Sequence, residues 1–467
     1  MSSKILKITS LIFLGVFVLF IGGNLKGQEV NKQSKGNLRP NFVIIMADDL
    51  DSGQLSCYGG ENINTKNIDE LANQGMKFNN MICSEAMCVP TRASLFTGRY
   101  PMSHGAFQNH KNVYDSIKSV GHYLGDLGYR VALTGKNDCT RPKSIYPFEI
   151  IEGFETSCVS LSDDYSLNGI RSLVRNSADP FCLFVMSINP HAPWTVGDPG
   201  EFNADSLVLP PNYVDTPETR EDYTKYLAEV RKLDNQVGDV MQMLKDEGQY
   251  DNTIVIFLGE QGPKFPGGKW TLWDQGQKSS MIVKWNKKVE ANSSTDAIVQ
   301  YEDMLPTLID IAGGDPVEKL DGKSFLDVLE NSSASHRDFA YGIHNNIPEG
   351  PAYPIRGIRS KRYKLIENLT PEREYKIKYT MNDNEKGVVW ASWKEKANHS
   401  EQAKILSERI VRRPSLEFYD LEKDPYELNN LATNPAYADK VKEYDTKLKK
   451  WMEEEHDAGA SVDRIYQ

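Results

Sequence analysis

Along residues 40–300 the chain alternates between short apolar, β-branched runs and longer amphipathic stretches. The runs are Phe42-Val43-Ile44-Ile45-Met46, Arg130-Val131-Ala132-Leu133-Thr134, Phe181-Cys182-Leu183-Phe184-Val185-Met186, Thr253-Ile254-Val255-Ile256-Phe257-Leu258 and Met281-Ile282-Val283. Near-continuous apolar strands belong to a sheet covered on both faces. Between them, residues 222–247 place Tyr223, Tyr226, Leu227, Val230, Leu233, Val237, Val240, Met241 and Leu244 on one helical face, with Gly248 as a stop. Strands alternating with helices predict an α/β fold: a large, mainly parallel sheet sandwiched by helices. After about Asp315 the pattern changes. Residues 353–359 and 362–366 read as a short hairpin, 416–421 as another strand, and about 436–455 as a closing amphipathic helix. These predict a smaller C-terminal α+β subdomain with a short antiparallel sheet.

Polar residues follow four of the strands directly: Asp48 and Asp49 after the first, Lys136 after the second, His191 after the third, Glu260 and Gln261 after the fourth. Open α/β sheets bind ligands beyond the carboxyl ends of their strands, so these side chains are expected to converge on one site. Asp48-Asp49 alone would read as a solvated turn, and His191, between Pro190 and Pro193, as a loop cap. Together with Glu260 and Gln261 the aspartates form an all-oxygen donor set suited to a hard cation, calcium or magnesium rather than zinc.

The formal net charge of −11 argues against a nucleic-acid partner but not against an anionic substrate, because a few local cations can dominate a cleft. At the N-terminus, Lys4 and Lys7 precede an apolar run over residues 8–21 and a small-residue exit. That pattern predicts a signal peptide over 1–27 and a polar lead-in over 28–38. The run is short of the ~20 residues of a membrane span, so export to the periplasm or beyond is expected, without stable membrane insertion. The six cysteines leave disulfide connectivity open, and Cys182, within an apolar run, reads as a core residue.

The most specific segment is Cys88-Val89-Pro90-Thr91-Arg92, followed by Ala93-Ser94-Leu95-Phe96-Thr97-Gly98-Arg99. By composition it could be a buried cysteine opening a proline-started helix. It also resembles the maturation signature of type I sulfatases, in the alkaline-phosphatase-like superfamily. The resemblance extends through Gly135-Lys136, Asn189-Pro190-His191-Ala192-Pro193, the segment from Glu260 to Trp270, Asp303-Met304-Leu305-Pro306-Thr307-Leu308 and residues 416–428. The segments 265–269 and 353–356 are similar to the branch of heparan N-sulfatases and bacterial polysaccharide sulfatases.

The resemblance implies an exported enzyme hydrolysing sulfate esters, or an N-sulfate, of a sulfated oligo- or polysaccharide. Cys88 would be oxidised by a separate formylglycine-generating enzyme to formylglycine (3-oxoalanine), whose hydrate is the nucleophile. Asp48, Asp49, Glu260, Gln261 and the modified Cys88 would bind Ca2+, with Mg2+ the lesser choice. Arg92, Lys136 and Lys269 would neutralise the sulfate, and His191 would assist departure of the sugar alcohol. His344 and Arg356 are candidates for carbohydrate recognition. A catalytic domain over 39–335 and a C-terminal subdomain over 336–467 follow.

Two departures from the family pattern stand out. The usual Asp-Asn or Asp-His pair is Glu260-Gln261 here, and Asp138 stands two residues after Lys136, where many sulfatases carry histidine. A phosphoester or phosphonate-ester hydrolase on the same scaffold, or a non-catalytic sulfated-glycan-binding relative, are the alternatives.

Overall fold

The computed structural model describes residues 39–382 and 388–461, so the expected signal peptide and lead-in lie outside the described residues. Eight strands, β1 (Asn41–Met46), β2 (Met76–Ile82), β3 (Arg130–Gly135), β4 (Glu149–Ile150), β5 (Phe181–Met186), β6 (Thr253–Leu258), β7 (Lys278–Lys284) and β8 (Ser293–Gln300), form one sheet. Their order is β4-β3-β5-β1-β6-β7-β2-β8. Every pairing is parallel except those of β7, which runs antiparallel to both β6 and β2. The four strands expected to deliver polar residues, β3, β5, β1 and β6, are consecutive neighbours at the centre. Because β6 and β7 are adjacent and antiparallel, the connection over residues 259–277 begins and ends at the same edge of the sheet.

Strand alternation divides the core in two. Val43, Ile45, Leu183 and Val185 face one cluster with Tyr226, Val237 and Leu244. Phe42, Ile44, Cys182 and Phe184 face the other with Ala93, Leu95 and Phe96. Both faces of the sheet are thus covered, as the apolar runs required, and Cys182 is a core residue.

The long helix spans Pro217–Asp246, starting before the expected residue 222. Its first turn is polar, so hydrophobic periodicity does not reveal it. The start signal is chemical: the Thr216 side chain accepts the Thr219 N–H, and Pro217 sits where no amide hydrogen is needed. Trp393, from the helix Val388–Ala397, is fully buried against this helix and donates its indole N–H to Thr219 Oγ1 at 2.8 Å. Trp393→Ala is expected to destabilise the fold by ~3–5 kcal/mol, read as a lowered urea midpoint. A midpoint unchanged within error would show that this helix adds nothing to the main core.

The C-terminal region holds an antiparallel sheet of β9 (Ala340–His344), β10 (Ile355–Arg359), β11 (Tyr363–Asn368) and β12 (Leu416–Asp420), ordered β12-β11-β10-β9. The hairpin β10–β11 and strand β12 match the sequence reading, while β9 is additional. The last described helix, Ala438–Glu454, packs Tyr444, Leu448 and Trp451 onto this sheet. Among the described residues no helix is long and apolar enough to cross a membrane.

Candidate active site

Cys88 is the first residue of the helix Cys88–Thr97, every residue of which is buried. Pro90 occupies the first turn, and Gly98 ends the helix in the left-handed conformation (φ 67°), donating its N–H to Ser94 O. The four-residue spacing puts Cys88 and Arg92 on one helical face. That face meets the ends of β1 and β6.

The residues expected to converge do so. Cys88 Sγ lies 3.3 Å from Asp48 Oδ1, 3.0 Å from Lys269 Nζ and 3.5 Å from Gln261 Nε2. Lys136 Nζ pairs with Asp48 Oδ2 at 2.7 Å, and Lys269 Nζ with Asp49 Oδ1 at 2.6 Å. Arg92 Nε pairs with Glu260 Oε1 at 2.6 Å. Gln261 Nε2 donates to Asp49 Oδ1 at 2.7 Å and to Glu260 Oε2 at 2.8 Å. His191 Nε2 stands 3.6 Å from Asp49 Oδ2, while its Nδ1 meets the Cys158 carbonyl at 2.9 Å.

Two carboxylate residues take unusual backbone shapes: Asp49 and Glu260 have φ of 68° and 77°. A left-handed residue with a side chain costs ~1–2 kcal/mol, and such strain concentrates where function fixes geometry. It turns both residues toward the cluster immediately beyond their strands.

Burial raises the Asp48 carboxyl, but Lys136, His191 and Arg92 outweigh it and hold the group well below the usual range. Burial dominates at Glu260, and with Asp48 nearby pushes it up to about 8 despite Arg92. Burial, then Asp48 and Glu260, pushes the Cys88 thiol well up. Burial lowers His191, opposed by Asp48 and Asp49. At Lys269 the pull of Asp49 and Cys88 overcomes burial and raises the ammonium.

The arrangement suits a hard cation. Asp48, Asp49, Cys88 and His191 each offer a ligand atom, all within 4.8 Å of one another. Asp49 Oδ2 and Gln261 Oε1 are buried oxygens without a hydrogen-bond partner among the described residues. Unpaired buried acceptors are costly and a coordinated cation satisfies them. With Glu260 pushed up to about 8, Arg92, Lys136 and Lys269 already offset the carboxylates, so an added divalent ion would leave the cluster positive, which suits an anionic ligand.

Above the cluster opens a cleft of about 660 Å³, lined by Cys88, Lys136, His191 and Lys269 and walled by Trp194 and Trp270. Asp138 also lines it, with its side chain exposed. His344 and Arg356 are not brought to the cleft. Both are buried: His344 bonds Asn346 Oδ1 at 2.7 Å, and Arg356 grips Asp457 with two nitrogens, Nη2 to Oδ1 at 2.8 Å. These are structural partners, so the expectation of sugar contact is corrected in geometry. The sequence reading missed the Cys158 carbonyl that orients His191, and the cleft residues Asn109, Glu349 and Tyr379. Only Trp270 carried a signal, next to Lys269 in a segment already singled out.

Residues 40–314 match the family model described as Sulfatase, and residues 268–413 the model described as N-sulphoglucosamine sulphohydrolase, C-terminal. An ulvan-active sulfatase of Formosa agariphila is 31% identical over 92% of this chain and 83% of its own. The N-sulphoglucosamine sulphohydrolase of Homo sapiens is 26% identical over 89% and 90%. A solved structure of a protein in complex with its substrate D-glucosamine-2-N,6-O-disulfate superposes with a TM-score of 0.72 at 22% identity, covering 90% of this chain and 99% of that one. With the family model spanning more than half of the sequence and a close relative spanning nearly all of it, the chain belongs to the sulfatase family.

Proposed function

We propose that this protein is an exported sulfatase that removes a sulfate ester, or an N-sulfate, from a sulfated carbohydrate, using a formylglycine derived from Cys88 and a bound calcium ion. The observation that carries the reading is the position of Cys88 Sγ, at a helix start and within hydrogen-bond reach of Asp48, Lys269 and Gln261. The carbohydrate class is supported by the names of the relatives, which act on ulvan and N-sulphoglucosamine.

Formylglycine supplies a hydrated aldehyde as nucleophile, and calcium supplies charge that activates it; Asp48, Asp49, Glu260 and Gln261 would hold the ion. Flexible oxygen coordination favours calcium over magnesium, which demands a near-octahedral set. Arg92, locked on Glu260 and the Ala47 carbonyl, keeps its guanidinium fixed beside the nucleophile. Lys136 and Lys269 present ammonium groups to the sulfate oxygens from two sides, with the Cys88–Thr97 helix start adding its positive dipole end. Trp194 and Trp270 narrow the cleft and exclude water.

His191 acts on the leaving oxygen. Its Nδ1 donates to the Cys158 carbonyl, which leaves Nε2 as the nitrogen that takes up and gives back the exchangeable proton. Burial, opposed by Asp48 and Asp49, favours the neutral ring, so a proton taken up at Nε2 is passed on readily. His191→Gln is expected to lower kcat on a sugar sulfate by ~10²–10³-fold, and to affect 4-nitrophenyl sulfate less, because nitrophenolate departs unprotonated. Equal losses on the two substrates would remove His191 from the proton-donor role.

The thiol is almost wholly buried, 6% exposed, so the maturation enzyme proposed as partner must act before folding completes. We place the catalytic part over residues 39–335 and the C-terminal subdomain over 336–467, the division falling between the helix Leu326–Glu330 and β9. The test of the function is ion-chromatographic sulfate release from ulvan oligosaccharides and N-sulphoglucosamine, against phosphate release from 4-nitrophenyl phosphate. A larger kcat/KM on the phosphate ester would overturn the sulfatase reading.

A further inference from the structure

On the cleft wall beside Cys88, a short chain of hydrogen bonds ends in an unsatisfied carboxylate. The backbone N–H of Val89, the residue after Cys88, donates to Asn109 Oδ1 at 3.2 Å. Asn109 Nδ2 then donates to Glu349 Oε1 at 2.7 Å. Glu349 lines the cleft and is 3% exposed, yet its Oε2 has no hydrogen-bond partner among the described residues. A buried carboxylate held by one bond is costly. The loops around it fix it in place. Asn345 Nδ2 bonds the Phe107 carbonyl at 3.3 Å, tying the two loops together, and Gly350 N and Lys378 N bond the carbonyls of Asn346 and Glu349. The segment 344–353, which reads in sequence as sugar-contacting through His344, therefore acts as the mount for Glu349.

Trp270, which lines the same cleft, is left-handed (φ 69°), and its indole N–H also lacks a partner among the described residues. Its ring stacks on Tyr379 at 6.0 Å and 25°. An aromatic pair and a bare acceptor lining one cleft match a pyranose ring, which has an apolar C–H face and an edge of hydroxyl donors.

We propose that Glu349, held by Asn109, is a specificity-determining residue that accepts a hydrogen bond from a free hydroxyl or N–H on the sugar next to the scissile sulfate, and that rejects a second sulfate at that position. Attraction comes from satisfying Oε2, and rejection from like charge against a buried carboxylate, so one residue supplies both elements of discrimination. The assignment rests on the sulfatase reading above.

The test compares wild type with Glu349→Gln and Asn109→Ala. Substrates are ulvan oligosaccharides, N-sulphoglucosamine, N-acetylglucosamine 6-sulfate and 4-nitrophenyl sulfate, the last without neighbouring hydroxyls. Both variants are expected to lower the ratio of kcat/KM on the best sugar to that on 4-nitrophenyl sulfate by about tenfold or more, mainly through KM. A ratio unchanged within about twofold in both would overturn the assignment. A second arm needs no turnover. In a Cys88→Ala background, Glu349→Gln is expected to weaken calorimetric binding of the same sugar by about tenfold, and unchanged affinity would overturn the proposal. Should the wild type release sulfate from none of the four, the sulfatase reading falls, and the binding arm alone then decides Glu349.

Discussion

Cys88→Ala is expected to lower kcat/KM for sulfate release by ~10⁴-fold or more, with the urea midpoint nearly unchanged. The fold tolerates the change because the helix start is held by its backbone, by Pro90 and by surrounding packing, not by the sulfur. Activity does not, because nothing else in the cluster is positioned to attack: the neighbours are carboxylates, an amide and ammonium groups already paired. The unmodified thiol is itself a poor substitute. Burial, then Asp48 and Glu260, keeps it protonated at neutral pH, and only the thiolate is nucleophilic. Protein made without a maturation enzyme should therefore be as inactive as the alanine variant. Mass spectrometry of the Cys88 peptide with an aldehyde-trapping reagent links the two measurements, since activity should scale with the trapped fraction. Full turnover by preparations with untrapped cysteine would remove formylglycine from the mechanism.

Removing the metal, or one of its ligands, should have the next largest effect. Chelation with EGTA is expected to lower kcat by ~10³-fold, with calcium restoring it and magnesium doing so less well. Asp49→Asn should reproduce the loss, leave calcium unable to restore it, and lower the metal content found by elemental analysis. The reason lies in the charge balance. Among the described residues Asp49 Oδ2 is a buried acceptor without a hydrogen bond, 3.6 Å from His191 Nε2, while Oδ1 serves both Lys269 and Gln261. An asparagine there removes a charge from the donor set and leaves Lys269 without its carboxylate. Bound metal should also raise the melting temperature, because a ligand at a hundred times its Kd adds ~2.7 kcal/mol to the folded state. An EGTA-treated enzyme that keeps its rate and melting temperature would show that the oxygen cluster serves the cations alone.

Much of this was legible because the site sits where strands end. β1, β3, β5 and β6 are buried on both faces, so their sequences are unbroken apolar runs, and the first polar residues after them announce themselves. Strands at or beside the sheet's margins lack that signature. β8 begins Ser293-Ser294-Thr295-Asp296 with half its early positions exposed, and β2 carries Asn79 and Asn80. His344 and Arg356 show the opposite failure. A histidine and an arginine near a polar loop read as ligand contacts, but the partner that buries Arg356 is Asp457, a hundred positions away. Glu349 was invisible for the same reason: its meaning comes from Asn109 and Val89, brought beside it by tertiary packing.

The reversed strand β7 has a consequence for how such an enzyme changes its diet. A crossover to a parallel strand would have to travel the length of the sheet and back. The 259–277 connection instead leaves and re-enters at the reaction edge, carrying Glu260, Gln261, Lys269 and Trp270 on the way. Its ends are pinned by neighbouring strands, and its middle is packed, Phe265 stacking on Trp194 at 4.9 Å, while Lys264, Lys269 and Trp270 line the cleft. Exchanges at Lys264, the half-buried cleft position of this stretch, could reshape the wall met by the sugar without shifting a single strand register. Grafting that stretch from a relative with another substrate is thus a way to exchange glycan preference while the sulfate-handling machinery stays where it is.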